Sequence, residues 1–230
     1  ERFSYQIPTY EALKGILHSV YWKPSIVWFI DAVRVMNPIQ TESKGMRTKL
    51  YFASSDGSTN DLSYYTYLKG CCYQVSAHFE FNDNRPELQN DWNENKHHNI
   101  ALKSIRLGGR RDVFLGAREC QGYVEPCVFG EGEGAYDNVP ELSFGLMYHG
   151  RTYDDEAPET RGKVTDNFWR PVMKNGVISF PRPEDCPFHN HVRVSGIKPF
   201  GRKLGNFTGS DEFPFPEAEV KLIGYSAKSL

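Results

Sequence analysis

The sequence predicts an α+β protein, with a ferredoxin-like (RRM-like) N-terminal domain followed by a smaller C-terminal antiparallel β domain. Three observations predict it. Leu13, Ile16, Leu17 and Val20 fall at i, i+3, i+4 and i+7, the apolar stripe of an amphipathic helix. Tyr73, Val75, Ala77, Phe79 and Phe81 alternate with Gln74, Ser76, His78 and Glu80, the period of a half-exposed strand. The resulting order helix, strand, strand, helix, strand matches a βαββαβ sheet whose first strand would precede Glu1. The expected parts are residues 1–128, the ferredoxin-like domain; 129–190, the small β-sheet domain; and 191–230, an irregular tail.

Taken in order, the first helix should start after Pro8-Thr9 and stop before Pro24, which cannot continue it. Ile26-Val27-Trp28-Phe29-Ile30, continuing through Val33 and Val35, is β-branched and aromatic and reads as a buried strand. Residues 37–62 are polar, contain Gly45 and Gly57, and read as a long loop or mobile hairpin. After the alternating strand comes an Asn-rich connection over 82–95. A short helix from about Lys96 to Leu107 then ends on Gly108-Gly109, residues suited to the left-handed geometry of a helix stop. A strand is expected from Val113 to Leu115 and onward through Tyr123 and Val124. Beyond it, Leu142, Phe144, Leu146 and Tyr148 alternate as a strand, and "VMKNGVISF" reads as a two-residue Asn-Gly hairpin. From "PRPEDCPFHNH" onward, Pro, Gly and charge predict little regular structure.

With 230 residues, of which 39% are hydrophobic, the chain is long enough to bury a substantial core. The formal net charge of −2 would by itself argue against a polyanion partner, but the charge is segregated. Residues 96–118 carry Lys96, Lys103, Arg106, Arg110, Arg111 and Arg118 against the single acid Asp112, whereas 131–166 hold nine acids against three bases. The five cysteines are odd in number and form no CxxC pair, which fits a reduced, cytoplasmic protein rather than a disulfide scaffold. The longest purely apolar run, Ile26 to Ile30, is far shorter than the roughly 20 residues of a membrane-spanning helix, so no membrane partner is expected. Asn206-Phe207-Thr208 matches a glycosylation acceptor, which a cytoplasmic reading makes a chance match.

The sharpest chemical candidate is Lys96-His97 at the start of the second helix, where free N–H groups and the helix dipole favour phosphate. Histidine can exchange a proton near neutral pH, and lysine offers a fixed positive charge to a phosphorane. Together they suit RNA cleavage in which the 2′-hydroxyl attacks its own phosphate, so that the protein supplies no nucleophile. A Lys-His-His triplet is more often solvated surface than an active site, and His97 and His98 diverge on a helix, so only one of them is expected to act. Tyr21, in "VYWKP", is a candidate partner, although an aromatic residue there is by default a core or rim residue.

The basic cluster Lys103, Arg106, Arg110, Arg111 and Arg118 could track a phosphate backbone or form an ordinary solvated face; Lys44, Arg47 and Lys49 could add contacts from the 37–62 segment. No metal site and no cofactor are expected: His189 and His191 offer two ligands in a proline-rich loop, and Cys120 with Cys127 lacks a second pair. Gly130, Gly132 and Gly134 alternate with Glu131 and Glu133, whose charge would repel phosphate, so the segment is no P-loop.

Several long segments carry a family resemblance. "FSYQIPTYEALKGILHSVYWKPSIVWFIDAVRVMNPIQ", "NENKHHNIALKSI", "GGRRDVFLGARECQGYVEPCVFGEGEG" and "NGVISFPRPEDCP" resemble the CRISPR-associated type I-C subunit of the Cas-five family, d subtype, from about Phe3 to Pro187. The resemblance implies a ferredoxin-like domain followed by a smaller β-sheet domain. It also implies metal-independent cutting of precursor CRISPR RNA within each repeat, on the 3′ side at the base of the hairpin. The product's 5′ handle is then retained within the type I-C Cascade complex beside its backbone and large subunits, with target DNA met through that complex. The family's catalytic tyrosine falls on Tyr21 and its lysine-histidine pair on Lys96 and His97. The chain departs from the pattern in lacking the family's first strand and in carrying His98, which could act as a substitute base. Two other readings stand beside the nuclease: a non-catalytic scaffold that caps the 5′ handle, as in most of the broader family, and a general RNA-binding module.

Overall fold

A computed structural model of the chain describes residues 2–49, 60–153 and 163–194. The tail expected over 191–230 lies outside the described residues except for its first four, as do Gly57 and the glycosylation match. In chain order the elements are β1 (Arg2–Phe3), α1 (Tyr10–Val20), β2 (Ile26–Val35), β3 (Gln40–Lys49), β4 (Asn60–Lys69) and β5 (Tyr73–Phe81). A 3-10 turn (Pro86–Asp91) leads into α2 (Glu94–Arg106), followed by β6 (Val113–Phe114), β7 (Gln121–Gly122), β8 (Leu142–Ser143) and β9 (Met147–Thr152). The described chain closes with β10 (Lys163–Trp169), β11 (Val172–Lys174), β12 (Val177–Ser179), a second 3-10 turn (Pro183–Asp185) and β13 (Phe188–Val194). The protein is α+β, with strands outnumbering helices among the described residues.

β2 is an interior strand, lying between β5 and β12, of a five-stranded sheet with the order β5-β2-β12-β11-β8. Its apolar run is buried nearly throughout because neighbouring strands cover both edges and helix and aromatic side chains cover its faces. β12 pairs with β2 from Val177↔Arg34 to Ser179↔Ala32, so this sheet draws strands from both sides of position 129. β13-β10-β9 form a separate antiparallel sheet, and β1-β4-β3 a mixed one in which β1 runs parallel to β4.

α1 is where the periodicity places it. The Thr9 hydroxyl caps it by accepting from the Ala12 N–H at 3.2 Å, and it ends when Tyr21 turns extended, at φ −157°. Tyr10, Leu13 and Val20 are buried on its inner face. In α2, Asn93 Oδ1 accepts from the Lys96 N–H at 3.0 Å, which starts the helix two residues earlier than expected. Gly108 (φ +80°) and Gly109 (φ +101°) end it, their N–H groups bonding to the carbonyls of Ile105 and Ser104. A Cβ at Gly109 would sit 3.3 Å from the Arg111 carbonyl oxygen, so the turn has little room for one.

Elsewhere tertiary pairing overrides local pattern. The 37–62 segment, expected as a loop or mobile hairpin, contributes β3, whose ten residues pair in register with β4 from Gln40↔Lys69 to Lys49↔Asn60. Polar β3 is held by a partner rich in strand-forming tyrosines, of which Tyr65 and Tyr67 stack at 6.1 Å. The strand expected over 113–124 is broken into β6 and β7 around Gly116 (φ +77°). The strand expected through 142–148 divides into β8 and β9 at Gly145 (φ +73°). The Asn-Gly hairpin forms as expected, with both Asn175 (φ 48°) and Gly176 (φ 80°) left-handed between β11 and β12. Phe188–Val194, expected to be irregular, is strand β13 because β10 supplies its backbone partners.

Candidate active site

The site lies where the end of α1, the entry to β2, the Pro86–Asp91 turn and the start of α2 meet. A small core of Val20, Tyr21, Ile26, Trp28 and Ala101 underlies it, with Phe79 and Phe81 of β5 packed alongside. The indole N–H of Trp28 donates to the Tyr21 carbonyl at 2.8 Å, tying the end of α1 to β2. On α2, His97, Ala101 and Ser104 form the buried face by helical spacing, while Lys96 and His98 on either side of His97 are exposed. The two adjacent histidines diverge, and His97 is the one that turns inward.

Tyr21 and His97, 76 positions apart in sequence, meet with the Tyr21 hydroxyl 2.8 Å from His97 Nδ1. Both are buried, His97 with 0% of its surface exposed. The other ring nitrogen, Nε2, lies 2.8 Å from the Asp91 backbone carbonyl. A carbonyl only accepts, so Nε2 carries the proton. In a neutral ring Nδ1 is then an acceptor, and the Tyr21 hydroxyl donates to it. The imidazole is walled by Phe79 and Phe81, whose rings meet it edge-on at 6.0 and 6.2 Å, and Trp92 stacks behind Phe81 at 5.4 Å. Burial, and next the Asp91 charge, push the Tyr21 hydroxyl's pKa up, keeping it protonated as a donor.

Lys96 points from the same helical turn toward solvent, and its ammonium donates to Asp91 Oδ1. Ser25 donates to Asp91 Oδ2 at 2.6 Å. With the lysine and serine as donors, the Asp91 carboxyl is held down to about 2, and that carboxylate in turn raises the Lys96 ammonium's pKa. Arg110, from the turn after α2, places its guanidinium 5.8 Å from the centre of the Tyr21 ring, a cation–π contact. The backbone N–H groups of Arg110 and Arg111 both donate to the Ser19 carbonyl, docking that turn onto the end of α1.

The expected trio Tyr21, Lys96 and His97 is therefore clustered, with a buried Tyr-His pair and an exposed ammonium beside it. Asp91 and Ser25 were not singled out from the sequence. Asp91 precedes Lys96 by five residues and lies outside α2, so no helical spacing rule pairs them; only the turn brings the two together. Of the expected RNA contacts, Lys103, Arg106, Arg110, Arg111 and Arg118 are exposed and make no salt bridge among the described residues. Lys103, seven residues after Lys96, lies on the same face of α2. Lys44 and Arg47 are on β3, in the β1-β4-β3 sheet, and Lys44 is paired with Glu42 at 2.5 Å; the Lys49 side chain lies outside the described residues.

His189 and His191, expected in a loop, are on β13, with His189 Nδ1 2.8 Å from Asn167 Oδ1. The described residues contain no group of three or more His, Cys, Asp or Glu able to hold a metal ion, and no helix long and apolar enough to cross a membrane. The glycine-rich 128–137 segment is clamped by Arg34, which bonds to Asp137 Oδ2 at 2.7 Å and to the Gly132 carbonyl at 2.8 Å. A separate cavity of about 140 Å³, lined by Tyr10, Phe29, Asn84, His149 and Arg182, contains none of the expected site residues.

Residues 1–181 match the family model described as CRISPR-associated protein (Cas_Cas5). A curated relative, the CRISPR pre-crRNA endoribonuclease Cas5d of Mannheimia succiniciproducens, is 29% identical over 215 residues, covering 79% of this chain and 86% of its own. Two solved structures share 36% identity with the chain. One is a CRISPR-associated protein with a TM-score of 0.69, covering 82% of this chain and 87% of its own. The other is a functionally uncharacterized protein from Streptococcus mutans with a TM-score of 0.67, covering 81% and 87%.

Proposed function

This chain belongs to the CRISPR-associated Cas5 family, d subtype, and from that premise we propose that it is a metal-independent, repeat-specific endoribonuclease. It cleaves precursor CRISPR RNA at the base of the repeat hairpin and remains on the 5′ handle of the product as a subunit of the type I-C Cascade complex in the cytoplasm. In that complex it neighbours the backbone and large subunits and meets target DNA only through them. The name of the curated relative supports RNA cleavage, and the family resemblance over about Phe3 to Pro187 implies a ferredoxin-like domain.

The observation that carries the reading is the contact between Tyr21 and His97 beside the Lys96 ammonium. Phosphate enters from the exposed cations, Lys96, Lys103 and Arg110. The His97 ring, with Nε2 occupied by the Asp91 carbonyl, has Nδ1 as its proton acceptor. The Tyr21 hydroxyl stands between that nitrogen and the substrate, so it passes a proton between RNA and imidazole, while Lys96 offsets charge growing on the phosphorane. The RNA's own 2′-hydroxyl is the nucleophile, and the products are a 2′,3′-cyclic phosphate and a free 5′-hydroxyl. Both rings are buried, so the Tyr21 hydroxyl must become accessible for RNA to engage it.

The test is cleavage of a repeat hairpin in EDTA, with the product ending identified. A 2′,3′-cyclic phosphate is expected, and a strict magnesium requirement rejects the mechanism. The second reading, a non-catalytic scaffold capping the 5′ handle, is favoured by the closed state of the pair. It predicts that wild-type protein binds repeat RNA and leaves it intact. A general RNA-binding module would instead hold unrelated hairpins equally well at fixed salt.

A further inference from the structure

Asp91 is the residue through which Lys96 and His97 are both held. Its carbonyl takes the His97 Nε2–H, its Oδ1 takes the Lys96 ammonium, and its Oδ2 takes the Ser25 hydroxyl at 2.6 Å and lies 3.5 Å from His97 Nε2. The residue stands at the end of the Pro86–Asp91 turn, and that end is fixed independently: the Trp92 N–H closes the turn on the Gln89 carbonyl at 3.0 Å, and its indole stacks on Phe81. We infer that Asp91 is a positioning residue for the cleavage reaction, orienting His97 through its carbonyl and the Lys96 ammonium through its carboxylate.

The inference rests on the nuclease reading above. Its physical basis is a difference between the two functional side chains. His97 is confined by aromatic walls and two hydrogen bonds, whereas Lys96 is a long, largely exposed chain on one turn of helix. Without a partner its ammonium would sample many rotamers, and a poorly placed cation stabilises a transition state less. An exposed ion pair adds little to folding stability, so the contribution of Asp91 falls on the rate of the chemical step. Ser25, 1% exposed at the entry to β2, fixes the carboxylate in turn. The charged and titratable groups facing the Lys96 ammonium are Asp91 from the turn and Tyr21 from the end of α1; Arg110 acts on Tyr21 from the turn after α2, and His97 is its neighbour on the helix.

Asp91→Asn keeps the backbone carbonyl that orients His97 and removes the carboxylate charge that holds Lys96. The expected result is a cleavage rate at saturating repeat RNA about 10- to 100-fold below wild type. RNA binding should be undiminished, because an anion has been taken away from a phosphate site. The alkaline limb of the pH–rate profile should move to lower pH, since the carboxylate raises the ammonium's pKa. Asp91→Glu should recover part of the rate. A merely structural role would lower the melting temperature and leave the profile in place. If Asp91→Asn folds poorly, Ser25→Ala releases the carboxylate from one side and should shift the same limb by a smaller amount. Wild-type rate and profile in Asp91→Asn, or in Ser25→Ala where the former does not fold, overturn the inference while Lys96→Ala still abolishes cutting. Wild-type cutting by Lys96→Ala and His97→Ala overturns the nuclease site itself, and the role of Asp91 with it.

Discussion

The Tyr21 hydroxyl lies 2.8 Å from His97 Nδ1 inside a core that excludes water from both side chains. A contact so deep has two consequences. Tyr21→Phe leaves the imidazole nitrogen as a buried acceptor without a donor, at a cost of about 1–3 kcal/mol in stability. It also removes the group placed between His97 and RNA, so cleavage of a repeat hairpin should fall by about 100-fold or more. Single-turnover kinetics beside a thermal melt check both, and an unchanged rate would rule out a proton-transfer role for Tyr21.

Lys96 and His97 are neighbours in sequence with opposite environments, so their alanine variants should differ. His97→Ala empties a fully buried ring site between Phe79 and Phe81 and should cost about 2–4 kcal/mol as well as cleavage. Lys96→Ala, at an exposed position, should melt with wild type and still fail to cut. Equal losses of stability in the two variants would contradict the buried and exposed assignments. His98 is exposed on the far side of His97, so it should not rescue His97→Ala.

The exposed cations set the salt dependence of binding. Replacing Lys103, Arg106 and Arg111 together by alanine should reduce the slope of log K against log salt by about 2, at roughly 0.7 per phosphate contact on a single strand. Lys44→Ala, which removes a side chain already paired with Glu42 on β3, should leave the slope unchanged. Binding titrations at several salt concentrations measure both.

Two histidines outside the site couple folding to pH. Burial, followed by the Lys14 charge, lowers the pKa of His18 from 6.5 to about 4, and burial lowers that of His149 to about 4 as well. Each is neutral when folded and takes up a proton on unfolding. Their contribution is therefore complete above pH 6.5 and lost as pH falls toward 4, by up to about 1.4 kcal/mol per pH unit for each group. Melting temperatures followed from pH 7 to 4 should decline, and should decline less in His149→Phe, which retains the stack on Tyr10.

Local pattern by itself determined the elements whose residues satisfy their own geometry. The stripe from Leu13 to Val20, the β-branched run of β2, the alternation of β5 and the Asn-Gly turn each match an element at or near its observed bounds, because spacing and turn chemistry are short-range properties. The helical placement of Lys96 and His97 was legible for the same reason, as was the divergence of His97 from His98. Only the tertiary structure decided the rest. β3 and β13 are strands because β4 and β10 supply their hydrogen bonds, and β6–β7 and β8–β9 are broken where single glycines turn the chain. The meeting of Tyr21 with His97 spans 76 positions, and the convergence of Ser25, Asp91 and Lys96 depends on a turn, a strand entry and a helix end packing on one aromatic core. Such contacts are set by how whole elements bury their apolar faces together, and no rule of local spacing contains that information.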